Sequence, residues 1–336
     1  MVFNIKVCLL SGVLLYGLSF LSHAGQDVVP WHMVFTANPQ YPRTENIERR
    51  TVESSLEKEK HSKWLIEEQY SDIAGFRNHF GGASRVPVMI NGDLTMSGHD
   101  WQRAVVMPIL QAKLEGLYDY GLGNRDYEKN VGACFLNGCA AAAIEDLKKR
   151  YWGHVDGMDF GVRVAGRTDI YYGSLAYSRG IGDVHLVQLN NEPTYSVQFS
   201  AGLPLLRPLE VRITDALDWL ERDLRNAREQ GRIIILNMHK ARGWMGNDQQ
   251  IERFRNMIQT YKVTAVFAGH NYWHSGRYWN AVDEFGNVPV FLSGSAIRRT
   301  YLTASFSADR TSLTVNRVEG NHWPGRQLDS VVAVRY

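Results

Sequence analysis

The sequence predicts an α/β fold, on three observations. Short apolar runs recur along the chain, and each ends in a polar loop. Segments with apolar residues at helical spacing lie between many of them. The chain has 336 residues, 44% hydrophobic and 21% charged, enough to bury a sizeable core.

The first 24 residues stand apart. Lys6 precedes an apolar run from Val7 to Phe20, followed by Ser22-His23-Ala24. This pattern reads as a secretory signal peptide over 1–24, removed after Ala24. The alternative is an uncleaved N-terminal anchor, although the run is shorter than the ~20 residues a membrane helix needs. No later segment is apolar enough to span a membrane, so the expected setting is secreted or periplasmic. Residues 25–336 show no internal repeat, low-complexity tract or linker, and read as one domain. The net charge of +2 gives no reason to expect nucleic acid as a main partner.

The elements follow in order. Met33 to Ala37 is a buried strand ending in the polar loop Asn38-Pro39-Gln40. Residues 46–78 are charged, with apolar residues at helical spacing, and their charges read as a solvated face. Val88 to Ile90, with Pro87 at its start, is a second strand, and it ends in Asn91-Gly92-Asp93. A helix is expected over 99–115. Leu117 to Gly121 is the third strand and breaks into Gly123-Asn124-Arg125-Asp126. The Ala-rich segment "CAAAAIEDLKKRYW" is a strong helix with basic residues in its last turn. Residues 160–200 alternate apolar and polar and read as antiparallel strands. "RITDALDWLERDLRNAREQG" is an amphipathic helix that starts near Thr214 or Asp215 and stops at Gly231. "RIIILNMHK" is a buried strand delivering His239, residues 248–261 form a helix, and "VTAVFAGH" is a strand delivering His270. "VPVFLSGSA" and the tail from Tyr301 are again strands.

Five strand ends therefore present Asn38 with Gln40, then Asp93, Asn124, His239 and His270. In open α/β sheets, ligands bind at the carboxyl ends of strands. Carboxylate, amide and imidazole donors together suit Zn²⁺, Mn²⁺ or Fe. A lone strand-end histidine is more often structural than a ligand, so the weight lies on the ordered set.

Several other residues read as structural. His99 and Asp100 open a helix and suit capping. His154, Asp156 and Asp159 fall in a Gly-rich loop expected to be solvated, and His185 alternates within a strand. Ser174 and Ser295 lack the nucleophile-elbow pattern. Gly121 and Gly123 lack the third glycine of a dinucleotide loop. Cys134 and Cys139, five apart in an exported chain, read either as a disulfide closing a small loop or as two free thiols. A zinc finger is disfavoured, because His270 and His274 lie far from them in sequence.

The order of the motifs resembles that of the calcineurin-like metallophosphoesterase family, over about residues 31–300. The family's D-x-H or D-x-Q, G-D, G-N-H-[DE], lone His and G-H-x-H read here as Asn38-Pro39-Gln40, Gly92-Asp93, Gly123-Asn124-Arg125-Asp126, His239 and Gly269-His270. The stretches "DYEKNVGACFLNGCA", "GSLAYSRGIGDVHLVQLNN" and "VPVFLSGSA" look similar to a bacterial secreted branch. The resemblance implies a four-layer α/β/β/α sandwich with two mixed β-sheets and two divalent metals. One metal site would use Asp93, Asn124, His239 and His270, all present. The other would use Asn38, Gln40 and Asp93, with Tyr272 at the last position, where the family has histidine. His274, four residues after His270, is either a replacement ligand or a surface histidine.

The resemblance thus implies one tight divalent site (Mn, Zn or Fe) and a weak or empty second, because Asn38 brings no negative charge. The implied activity is hydrolysis of a phosphate ester by a metal-activated hydroxide. The alternative is a non-catalytic binding protein or exported effector on the same fold. Arg125 stands where the family carries a histidine beside the leaving group. Arginine cannot deliver a proton near neutral pH, but it can hold phosphate bidentately. Arg125, Asn124 and Asp126 are accordingly the candidate catalytic residues. Either Arg125 grips phosphoryl oxygens, or it only pairs with Asp126.

Overall fold

The computed structural model describes residues 31–202 and 208–336. The expected signal peptide at 1–24 lies outside the described residues.

The strand Ile233–Met238 shows how the layers arise. All six residues are buried. Ile233 and Ile235 pack with Phe35, Met89, Phe267 and Phe291 in a core between two sheets. Ile234, Leu236 and Met238 point the other way and pack with Leu217, Leu220, Leu224, Phe254 and Ile258 from two helices. A strand apolar on both faces needs cover on both faces, and it finds it in a parallel sheet. Its neighbours Val184–Gln188 and Ala265–Ala268 are both parallel to it.

That sheet has seven strands in the order Ser275–Arg277, Val290–Ser293, Ala265–Ala268, Ile233–Met238, Val184–Gln188, Tyr177–Ile181 and Gly157–Met158. The facing sheet has six, in the order Gln327–Ala333, Ser312–Val318, Tyr301–Phe306, His32–Thr36, Val88–Asn91 and Asp119–Gly121. Its last three strands are mutually parallel, and the tail strands pair antiparallel. Phe35 of one sheet stacks on Phe267 of the other, ring centroids 3.5 Å apart and planes 2° from parallel. The outer face of the six-stranded sheet, with Val34, Val88, Ile90 and Tyr120, is covered by helices Ser55–His79, Asp100–Lys113 and Gly138–Tyr151. The result is the expected α/β/β/α sandwich with two mixed sheets.

Local chemistry sets the helix ends. Ser54 accepts from the Glu57 N–H, and the Glu57 carboxylate reaches back to the Ser54 N–H, a capping box. Asn247 and Gln250 repeat the device ahead of helix Asp248–Thr260. The charged stretch 46–78 is interrupted, giving a short helix Asn46–Arg49 before the long one. Asp215 caps from outside, its carboxylate accepting the Leu217 N–H of helix Leu217–Glu229 at 3.0 Å.

The strands expected over 160–200 form, and neighbours within the segment pair antiparallel, but they divide between two sheets. Tyr177–Ile181 and Val184–Gln188 join the seven-stranded sheet. Gly161–Ala165, Thr168–Gly173 and Val197–Ala201 join Leu209–Ile213 in a separate four-stranded sheet, ordered 161–165, 168–173, 209–213, 197–201. One of its pairs, Thr168–Gly173 with Leu209–Ile213, is parallel. Alternation reports that one face is buried, but not which sheet a strand joins.

Candidate metal centre

The strands His32–Thr36, Val88–Asn91, Asp119–Gly121, Ile233–Met238 and Ala265–Ala268 each end just before a predicted site residue. The chain turns sharply there. Asn38, Gln40, Asp93 and His270 have φ of 50°, 48°, 52° and 67°, the left-handed region that non-glycine residues seldom enter. Such strain persists only where the surroundings over-determine it, and it clusters at functional sites. Gly123 makes the close approach possible. A Cβ there would lie 2.3 Å from both the Asp93 amide nitrogen and Asp93 Oδ1.

His239 is the hub. It is fully buried, and its Nδ1–H donates to the Asn91 carbonyl at 2.8 Å. That bond leaves the Nε2 lone pair facing the site. Around Nε2 lie the Asn124 amide group at 3.1 Å, Asp93 Oδ1 at 3.2 Å and His270 Nδ1 at 3.2 Å. Asp93 Oδ1 also accepts the Arg125 N–H at 2.9 Å.

The other carboxylate oxygen of Asp93 faces the second half of the site. Gln40 Nε2 donates to Asp93 Oδ2 at 3.0 Å, and Asn38 Nδ2 donates to the Gly294 carbonyl at 3.0 Å. Both amide oxygens, Asn38 Oδ1 and Gln40 Oε1, are buried without a hydrogen-bond partner. Buried acceptors are normally paired, so two orphans in one loop call for a donor or a cation. Asp93 thus lies between a group of imidazole and amide donors and a pair of neutral amides.

Burial pushes the Asp93 carboxyl up, but neighbouring His239, the Arg125 N–H and His270 outweigh it and hold the group below the usual carboxylate range. Burial, reinforced by His239, takes His270 down to about 4, so its ring is neutral at neutral pH. Burial, then the charge of Asp93, raises Asp126 to about 6.

This donor set fits a divalent cation: one carboxylate, one amide oxygen and two imidazole nitrogens, with one imidazole oriented by a backbone carbonyl. Asp93 and His270 meet at His239 rather than at each other. Among the described residues, the one trio of His, Cys or acidic side chains whose ligand atoms all lie within 4.8 Å of one another is His99, Cys134 and Cys139. That trio is no metal site, because the two sulfurs are joined in a disulfide and offer no thiolate. His99 sits at the start of helix Asp100–Lys113 as expected, but makes no side-chain cap bond there. Its Nδ1 stands 3.2 Å from Cys139 Sγ instead.

Two site expectations change. The Asp126 carboxylate is taken up by other donors. It accepts the N–H groups of Leu94, Thr95 and Gly123 and the Thr95 hydroxyl, all within 3.1 Å. It binds the loop of Asn124 to the loop of Asp93, a positioning role. Arg125 is consequently not paired with Asp126, and among the described residues no carboxylate pairs with its guanidinium. His274 is exposed, with its Nε2 3.0 Å from the Arg277 carbonyl, and the structure does not bring it into the cluster. At the position of the missing histidine, the Tyr272 ring lies under the Arg43 guanidinium, 4.3 Å from centroid to carbon.

Sequence reasoning missed the supporting shell. Gln188 donates to Asn91 Oδ1 at 3.1 Å, and Asn190 accepts the Leu122 N–H at 2.9 Å, so both brace the strand ends. Buried Lys240 joins Glu128 at 2.7 Å and Glu192 at 3.5 Å beside His239. The available signal was the run Gln188 to Glu192, a polar cluster closing an apolar strand.

No protein-family model matches the chain, and no curated protein matches it. Solved structures similar to it include a purple acid phosphatase from yellow lupin seeds, at 9% identity and TM-score 0.49, covering 90% of this chain and 53% of that one. A Thermus thermophilus protein, TT1561, matches at 11% identity and TM-score 0.42, covering 87% of this chain and 99% of that one. A protein serine/threonine phosphatase from Saccharomyces cerevisiae matches at 10% identity and TM-score 0.33, covering 88% of this chain and 82% of that one. Likeness at such identities concerns fold alone. The strand order and the two facing sheets form the α/β/β/α sandwich that the motif resemblance implied.

Proposed function

We propose that this chain is a metal-dependent phosphoesterase acting outside the cytoplasm. The observation that carries the reading is the meeting of Asp93 Oδ1, the Asn124 side-chain amide and His270 Nδ1 at the Nε2 of His239. A buried carboxylate oxygen and facing imidazole nitrogens need a cation, or protons, to hold them together. Asp93, Asn124, His239 and His270 would hold one Mn, Zn or Fe ion tightly. Asn38 and Gln40, with Asp93, would hold a second weakly, because neutral amides bind a dication less strongly than carboxylates do.

Bound there, a divalent ion supplies a Lewis acid for a phosphoryl oxygen and lowers the pKa of water. The chain's own residues do the rest. Arg125 carries a guanidinium that no acid among the described residues neutralises, next to a residue of the proposed metal cluster, and it would grip phosphoryl oxygens bidentately. The Arg125 N–H fixes the Asp93 carboxylate, and Asp126 holds both loops in register. Arg125 cannot serve as the proton donor near neutral pH, so esters with good leaving groups are the expected substrates. Secretion is supported by the Cys134–Cys139 disulfide. No helix of the described residues is long and apolar enough to cross a membrane.

A second reading, a metal-binding but non-catalytic protein, draws on one observation: the Tyr272 ring under Arg43 takes the place of a donor. Phosphatase and phosphodiesterase assays with added Mn²⁺, Zn²⁺ or Fe²⁺, run beside Asp93→Ala, separate the two. Metal-dependent turnover lost in the variant supports the enzyme. Equal background from both proteins ends that claim.

A further inference from the structure

The loop that carries Asn124 also carries a lysine that its motif does not include. Lys129 lies in the 3₁₀ turn Glu128–Asn130, and its N–H donates to the Asn124 carbonyl at 2.8 Å. Asn130 clamps this turn to the loop, donating to the carbonyls of Arg125 at 2.8 Å and Asp126 at 3.0 Å. Lys129 itself is solvent-exposed, yet its Nζ returns to within 3.1 Å of the Asn124 amide group.

The amide has two orientations, and each suits a different state. With Oδ1 toward His239 Nε2, the NH₂ would face the Lys129 ammonium, donor against donor. Turned over, the NH₂ donates to His239 Nε2 at 3.1 Å and Asp93 Oδ1 at 3.3 Å, and Oδ1 accepts from Lys129 Nζ at 3.1 Å. A cation among the acceptors demands the first orientation, because it attracts Oδ1 and repels the NH₂. Without it the second is favoured, because every donor then meets an acceptor.

Resting on the phosphoesterase reading above, we propose that Lys129 is a phosphate-binding residue whose freedom is set by the Asn124 amide. In the metal-free protein, Lys129 donates to Asn124 Oδ1. Metal loading turns the oxygen inward and leaves the ammonium facing an NH₂, without an acceptor there. The ammonium then swings to the phosphoryl oxygens of the ester, beside Arg125. Anion binding is thereby coupled to metal loading through one side-chain amide.

The test uses the mature chain, Zn²⁺ and inorganic phosphate as probes, with calorimetry and the ¹⁵Nζ signals of the lysines as readouts. Lys129→Met should bind Zn²⁺ within about threefold of wild type, and its Zn-loaded form should bind phosphate about tenfold more weakly, the ~1.4 kcal/mol of one lost charged contact. Lys129→Arg should recover most of the loss. Lys149→Met, at an exposed lysine on helix Gly138–Tyr151, should change nothing. The Lys129 ammonium signal should be protected in metal-free protein, exchange faster with Zn²⁺ alone, and be protected again with phosphate. Zn²⁺ binding with equal phosphate affinity in Lys129→Met and wild type would overturn this proposal and leave the phosphoesterase reading standing. Failure of wild type to bind Zn²⁺ at all would overturn both. An ammonium signal unchanged across the three states would overturn the amide coupling.

Discussion

The Nδ1–H of His239 donates to the backbone carbonyl of Asn91 across 2.8 Å, from one sheet to the other. Because this bond fixes the ring, Nε2 has one direction left, toward Asp93, Asn124 and His270. A ligand oriented in this way costs little to organise when an ion arrives.

Metal loading should therefore stabilise the fold. Binding to the native state alone adds about 2.7 kcal/mol at a hundredfold excess over Kd. Mn²⁺ or Zn²⁺ added after chelation should raise Tm in a concentration-dependent way. Asp93→Ala should abolish that rise. A Tm indifferent to both ions would count against the four-ligand site.

Arg125 provides the sharpest kinetic comparison. No acid among the described residues pairs with its guanidinium, and the proposed role is to grip phosphate. Arg125→Ala should lower kcat/KM roughly 10- to 100-fold, in line with the loss of charged hydrogen bonds. Arg125→His should lower it as well. A faster histidine variant would mean that arginine only stands where a proton donor was lost.

Asp126 should affect stability first. Asparagine puts an NH₂ against N–H groups that now donate to a carboxylate. Asp126→Asn should cost about 3 kcal/mol in urea unfolding, through donors left buried and unpaired. Metal affinity should fall with it, because Asp126 ties the Asn124 loop to the Asp93 loop. An unchanged unfolding midpoint would refute this.

A pH dependence follows from Asp72, remote in sequence from the site residues. Burial raises its carboxyl above the usual range, against the bonds from the Tyr301 hydroxyl at 2.7 Å and the Trp323 N–H at 3.1 Å. The folded state thus holds the proton more tightly than the unfolded chain does. The associated stability is fully present below the unfolded value of ~3.9 and is lost as pH rises through the raised folded value. Asp72→Asn keeps an acceptor for both donors and has no proton to lose. Between pH 4 and pH 7.5, the Tm difference should move in favour of the variant. A shift in the opposite direction would be inconsistent with a raised carboxyl.

The Cys134–Cys139 bridge closes a loop with a sequence separation of 5. The chain-entropy estimate for so short a loop is about 2 kcal/mol. Replacing both cysteines with serine should cost that much by chemical denaturation. Zn²⁺ affinity should stay within about threefold, since the sulfurs hold no metal. A collapse of metal binding would show that the bridge also sets the Asn124 loop.

The element types were legible because period and chemistry are local. "IIILNM" is apolar at every position but one and reads directly as a buried strand. Ser54 with Glu57 caps a helix through atoms three residues apart. The ordered strand ends, Asn38 to His270, were legible for the same reason: each polar residue closes its own apolar run. The partition of residues 160–200 between two sheets was not legible, because both faces of alternation look alike until partners are chosen.

What the sequence by itself determined was the alternation of buried strands and amphipathic helices, and the order of the candidate residues at the strand ends. Only the tertiary structure decided how those residues meet. Asn91 and His239 lie 148 positions apart, and the bond that aims Nε2 exists only because two sheets face each other. Likewise Asp126 turned from a partner of Arg125 into a staple between loops, and His274 from a candidate ligand into an exposed ring on the Arg277 carbonyl. Strand and helix signals are short-range and additive. Which donor faces which acceptor depends on angles and distances set by the packed core, and no single segment carries them.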